Sequence, residues 1–178
     1  MKTISLPSKD QLTPESQELL EPFNKRLGKI PNLYSTIGYS PNALKAMLQF
    51  EENLNHSIFS AKEREAVYLV VSQVNGCEYC LAAHSILAAK RGYKPDEILN
   101  LRRGLALDAK LQAALQLAKA IAENKGNVQD SFKDAFFDAG FNEGALMELI
   151  ALVTIRTFTN YVYVMTKIPI DYPTVEKI

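Results

Sequence analysis

Residues 60–92 read SAKEREAVYLVVSQVNGCEYCLAAHSILAAKRG. Ser60-Ala61-Lys62-Glu63 fits a capping box, in which a serine side chain takes a backbone N–H and a glutamate three residues on returns the bond. The run that follows, Ala66, Val67, Leu69, Val70, Val71 and Val74, covers more than one helical face, so this helix is expected to be central and buried. Asn75-Gly76 breaks it, and a second helix begins at Cys77 and lasts to about Lys90, before Gly92. Both cysteines of the chain and one of its two histidines fall in this helical hairpin.

Outward from the hairpin the punctuation stays helical. Thr13-Pro14 and Ser40-Pro41 pair an N-cap hydroxyl with proline at the first helical position. The first of these helices runs through Leu19, Leu20, Phe23 and Leu27 to Gly28, with a kink or a division expected at Pro22. Ile30-Pro31-Asn32 restarts the chain for a short helix through Leu33, Tyr34 and Ile37. Pro95 opens another, Asp108 caps one through Leu111, Leu115 and Ile121, and Lys125-Gly126-Asn127 is a turn. Gln129–Ala139 carries Phe132, Phe136 and Phe137, and the last long helix runs from Asn142 toward Lys167. No segment alternates convincingly, so the class is all-α, with about eight or nine helices in one domain over 1–178. An extended arm is expected over about 1–12 and an irregular tail over about 168–178, marked by Pro169 and Pro173. Glu148, Asn160 and Tyr163 echo the spacing of Glu65, Cys77 and Cys80, which suggests an internal helical-hairpin repeat.

The totals exclude several classes. Of 178 residues, 47% are hydrophobic, enough for one sizeable core. Lys+Arg and Asp+Glu stand at 20 each, so neither a nucleic-acid nor a membrane partner is expected, and Leu101-Arg102-Arg103 reads as a solvated helix face. The start, MKTISLPSKDQ, lacks an apolar stretch of the secretory kind. Ala145–Ile155 is interrupted by Glu148 and is too short to span a bilayer. A cytoplasmic, reducing setting is expected, where two cysteines serve chemistry rather than a disulfide framework.

Cys80 and His84 are four apart and share a helical face, and Cys77 lies three before Cys80 at the helix N-terminus. The free amides and the dipole of that end favour a thiolate. Glu65, from the preceding helix, is placed to orient His84 and hold the proton it collects, as the third member of a triad does. Thiol redox chemistry follows from this set. Two rival readings use the same residues: a packed pair of inert thiols, and a zinc site of Cys77, Cys80, His84 and Glu65. His56 reads as a surface residue.

Glu65, an apolar helix and then Cys77-x-x-Cys80-x-x-x-His84 together resemble the alkylhydroperoxidase D-like fold of the carboxymuconolactone decarboxylase superfamily, in its peroxidase-related branch. Phe158-Thr159-Asn160-Tyr161 extends the likeness into the last helix. The resemblance implies a thiol peroxidase: Cys80 attacks a hydroperoxide, Cys77 resolves the sulfenic acid as a disulfide, and His84 with Glu65 relays protons. It implies a hydroperoxide substrate, an external thiol or dithiol reductant, and a homo-oligomer; no cofactor and no metal is expected, since no second Cys/His pair exists to close a structural site. Where the family prototype places a relay histidine before the second cysteine, this chain has Tyr79, expected to position substrate or water. A disulfide reductase and a redox-sensing interaction module remain the alternative readings.

Overall fold

The computed structural model describes residues 4–178; the first three residues of the expected N-terminal arm lie outside them. Nine α-helices make up the described chain: α1 Pro14–Leu27, α2 Asn32–Ile37, α3 Pro41–Leu54, α4 Ala61–Val74, α5 Glu78–Lys90, α6 Pro95–Arg103, α7 Ala109–Asn124, α8 Asp130–Asp138 and α9 Glu143–Thr166. A single 3₁₀ turn, Lys9–Gln11, precedes them, and among the described residues there is no strand. Thr13, Ser40, Ser60 and Asp108, the caps read from the sequence, each accept the backbone N–H three residues on, and Asn142 does the same at the start of α9.

Helix α4 is the hub. Every residue from Glu65 to Ser72 is buried, and the helix packs against α5, α6, α7 and α9. A helix apolar all round needs neighbours on every side, and α4 has them. Leu69, Val70 and Val71 meet a core that includes Leu115 and Leu117 of α7, Phe136 of α8 and Leu149 and Leu152 of α9.

Four sequence expectations are corrected. Pro22 neither divides nor ends α1; it lies on an exposed face beside Glu18, where water can take the carbonyl that its missing N–H leaves free. Arg102 is not solvated: it is 3% exposed and donates from Nε to Gln73 Oε1 at 2.9 Å, which ties α6 to α4. Glu148, Asn160 and Tyr163 share one uninterrupted helix, so the hairpin is not repeated there. That helix, α9, has the length and composition of a membrane span, yet Ala145, Leu149, Leu152, Ile155 and Asn160 are buried in the core against α3, α4, α5 and α7.

After α9, Lys167 takes a left-handed conformation and the chain turns back as a non-helical tail. Ile168 is buried, the Pro169 carbonyl accepts from Asn32 Nδ2 at 3.0 Å, and Asp171 pairs with Lys29 at 2.8 Å. The tail thus lies against the α1–α2 junction, close to the start of α5.

Candidate active site

The α4–α5 turn sets the thiols. Gly76 has φ +63°, a conformation that costs glycine little, and the Cys77 N–H bonds the Ser72 carbonyl at 2.9 Å. Cys77 is therefore the N-cap of α5 rather than its first residue. Its sulfur accepts the Cys80 backbone N–H at 3.2 Å. Both thiols are free and buried, Cys77 at 0% and Cys80 at 1% exposure.

His84 and Glu65 meet as the sequence expects. Nδ1 of His84 lies 2.7 Å from Glu65 Oε2, with both side chains about nine-tenths buried. With Nδ1–H donated to the carboxylate, Nε2 is the nitrogen left for a substrate or a thiol. Burial, reinforced by the nearby Arg156 charge, holds His84 below the ordinary histidine range against the pull of Glu65. The imidazole is thus a neutral base at neutral pH.

The two sulfurs differ. Burial and the Cys80 neighbour push the Cys77 thiol well up, so it stays protonated. Burial also raises Cys80, but the Cys77 hydrogen bond, the Arg156 charge and the polar side chains of Asn160 and Thr159 outweigh it and bring Cys80 down to about 7. The helix terminus alone would place the thiolate at Cys77; the Cys77 hydrogen bond first, and then the neighbours supplied by α9, favour it at Cys80.

Arg156 is the residue that motif reading missed. It is 5% exposed, pairs with Glu51 at 3.6 Å, donates to Thr159 Oγ1 at 3.2 Å and sits 4.1 Å over the Tyr68 ring. Tyr34 donates to the other Glu51 oxygen at 2.9 Å. Burial works against the guanidinium charge, but Glu51 and the surrounding groups win and its pKa is raised. Its Nε has no hydrogen-bond partner among the described residues. The available signal was a lone arginine in the most apolar helix of the chain, since a buried charge there requires partners. Asn160, which bonds Ser72 Oγ at 3.1 Å and receives Asn75 Nδ2 at 3.0 Å, closes the floor under the thiols.

A cavity of about 430 Å³ opens beside Cys80 and His84, with Arg156, Leu33, Tyr34 and Tyr172 among its walls. Cys77 is not among its lining residues. Tyr79 contributes to the wall, but its hydroxyl is engaged: it donates to Asp171 Oδ1 at 2.6 Å and accepts the Leu33 N–H at 3.2 Å. The Tyr172 ring meets Tyr79 edge-on at 5.4 Å. A wider groove of about 740 Å³, reaching from Ser60 and Tyr93 to Gln112, holds neither thiol nor imidazole. Glu65, the fourth ligand in the zinc reading, is turned to His84 Nδ1 instead. His56 is exposed, and it lines neither of these two openings.

Residues 41–123 match the model of the Carboxymuconolactone decarboxylase family. An uncharacterized peroxidase-related protein from Silicibacter sp. TM1040 has a similar structure, with a TM-score of 0.80 at 23% identity over 98% of this chain and 93% of that one. An alkylhydroperoxidase AhpD core protein from Ralstonia eutropha JMP134, also peroxidase-related and uncharacterized, gives 0.80 at 18% identity over 93% and 91%. A variant of the debrominase Bmp8 in complex with 2,3,4-tribromopyrrole gives 0.77 at 18% identity over 96% and 92%. No curated protein matches the chain. The alkylhydroperoxidase D-like fold, and with it the resemblance to the carboxymuconolactone decarboxylase superfamily, is borne out.

Proposed function

We propose that this alkylhydroperoxidase D-like protein is a thiol peroxidase that reduces organic hydroperoxides through Cys80 and Cys77. The observation that carries the reading is the division between the sulfurs: Cys80, with the lowered pKa, lines the cavity beside His84, while Cys77 is enclosed behind it as a thiol. The peroxidase-related relatives of the fold and the family match agree with an antioxidant role.

In the proposed cycle His84 Nε2 takes the Cys80 proton, and Glu65 steadies the imidazolium that results. The Cys80 thiolate attacks the terminal oxygen of R–OOH, the O–O bond breaks, and the alkoxide leaves as R–OH, taking its proton from His84 below the Cys80 pKa and from water above it. Cys80 is then a sulfenic acid. The Cys77 thiol attacks its sulfur, releasing water and forming the Cys77–Cys80 disulfide. A dithiol reductant restores both thiols and is itself oxidised, so one hydroperoxide consumes one dithiol. Assembly as a homo-oligomer and a cytoplasmic setting belong to the same reading.

The test is free-thiol titration before and after one equivalent of hydroperoxide, with steady-state turnover in the Cys80→Ser and Cys77→Ser proteins. Loss of two thiols per chain and loss of turnover in Cys80→Ser support the reading. Unchanged turnover in Cys80→Ser refutes it, and reduction of a protein disulfide without peroxide consumption identifies a disulfide reductase instead.

A further inference from the structure

The walls of the Cys80 cavity are charged in one sense only. Among the described residues four cations line it, Arg26, Lys29, Lys90 and Arg156, and no carboxylate does, in a chain whose acidic and basic residues are equal in number. Two of the four are already neutralised: Lys29 pairs with Asp171 at 2.8 Å and Arg156 with Glu51 at 3.6 Å. Arg26 and Lys90 have no acidic partner among the described residues, and both are exposed.

Each of these two cations stands beside an exposed leucine on the same wall. Leu27 follows Arg26 and is 49% exposed; Leu87 lies three residues before Lys90 on α5 and is 39% exposed. A cation in the last turn of a helix complements the helix dipole, which accounts for the charges but not for leucines left open to solvent at the mouth of a cavity. Leu33, Ala83 and Ile86 add apolar surface to the same walls. Lys90 is ten residues beyond Cys80 on one helix, so their backbones are about 15 Å apart along its axis. Along α5 the order is the reactive sulfur, then Ala83, Ile86 and Leu87, then Lys90, and Arg26 stands on the α1 wall of the same cavity.

We propose that the cavity takes a long-chain carboxylic acid hydroperoxide, with its peroxide at Cys80 and His84, its hydrocarbon along Leu33, Ile86 and Leu87, and its carboxylate on Arg26 and Lys90. The assignment rests on the thiol peroxidase reading and adds the substrate class to it. The reaction is the cycle given above, R–OOH to R–OH with the dithiol as reductant, and the carboxylate is unchanged. The negative head serves recognition, since apolar lining supplies affinity and a few placed charges supply orientation.

The experiment compares linoleic acid hydroperoxide with its methyl ester in the full-length protein, with dithiothreitol as reductant and both substrates below their micelle concentrations. In the wild type the acid is expected to exceed the ester in kcat/KM by about tenfold. That ratio falls toward one in the Arg26→Glu/Lys90→Glu double variant, and it falls in the wild type as salt is raised. Equal rates for acid and ester in the wild type, or a ratio that survives the double charge reversal, overturn the proposal. If neither hydroperoxide turns over, the peroxidase reading has failed, and oleate, which has no peroxide, decides the binding claim. Oleate binding by calorimetry that weakens about tenfold in the double variant upholds the anionic-chain site, and no oleate binding ends it.

Discussion

The Cys77 sulfur caps the helix that carries Cys80, accepting the Cys80 backbone N–H at 3.2 Å. One atom therefore serves both the fold and the proposed disulfide. Replacing Cys77 by Ser keeps an acceptor at the N-cap, whereas Ala removes it, so Cys77→Ala should be less stable than Cys77→Ser by about 1 kcal/mol. Urea unfolding of the two variants measures the difference. Both should form no intramolecular disulfide, so a stability gap between them isolates the cap from the chemistry.

The His84–Glu65 contact at 2.7 Å sets the second expectation. His84→Ala removes the base and should lower the rate of peroxide reduction by roughly 10²–10⁴-fold. Glu65→Gln keeps the shape but not the charge that steadies the imidazolium, and should fall between wild type and His84→Ala. Single-turnover thiol loss with excess peroxide reads this without interference from the reductant. Equal rates in all three proteins would remove the relay from the mechanism.

The pH profile follows from the sulfurs. Cys80 is at about 7, so its thiolate, the attacking form, is roughly a tenth of the total one unit below that pH and roughly nine-tenths one unit above. His84 is held below its usual value, so its protonation removes the base on the acid side as well. Cys77 is pushed up and stays a thiol across the range, so neither sulfur imposes an alkaline loss. The first-turnover rate should rise through about pH 7 and then level. A bell with a falling limb at about one unit above that midpoint would contradict the roles given to the two cysteines.

Arg156 is expected to account for part of the lowered Cys80 pKa, because its charge acts on the thiolate from within the same buried pocket. Arg156→Met should move the Cys80 titration, followed by thiolate absorbance, upward toward the ordinary thiol range. It also leaves Glu51 without its partner, which costs about 3–5 kcal/mol where such a pair is buried. Arg156→Lys retains a charge and serves as the control for folding: its titration should stay nearer the wild type than that of Arg156→Met. The same midpoint in all three would mean that the arginine only packs.

Tyr79 joins three parts of the chain, taking the Leu33 N–H and giving its proton to Asp171. Tyr79→Phe should cost about 1–3 kcal/mol, since it leaves a buried N–H unpaired and frees one anchor of the tail. Tail release, seen as faster removal of the C-terminal residues by carboxypeptidase, should accompany it. If the hydroxyl instead positions substrate or water, the variant loses turnover while the tail stays protected, and the two measurements separate these roles.

Much of the fold was legible because helix starts and stops are local. Thr13-Pro14, Ser40-Pro41, the Ser60/Glu63 box and Asn75-Gly76 act within a few residues of themselves, and each lies where the spacing put it. Glu65 and His84 were also within reach of the sequence, because two helices joined by a short break must lie side by side, and a shared face brings such side chains together. Arg102 was not legible in the sequence, because whether a face meets water or another helix is not written in its own residues.

The order of residues alone thus accounts for the set of helices, the hub α4 and the motif of Cys77, Cys80, His84 and Glu65. Which sulfur carries the lowered pKa, and what surrounds it, depends on packing between distant parts of the chain. The thiolate preference at Cys80 draws first on the Cys77 sulfur, which the motif itself supplies, and then on Arg156, Asn160 and Thr159, brought from a helix far along the chain. The engagement of Tyr79 depends on Asp171, from a tail with no pattern to announce it. Local rules act through hydrogen bonds and helical spacing, which the chain encodes in order; electrostatic character is set by long-range neighbours, and those exist only once α9 and the tail have closed over α5.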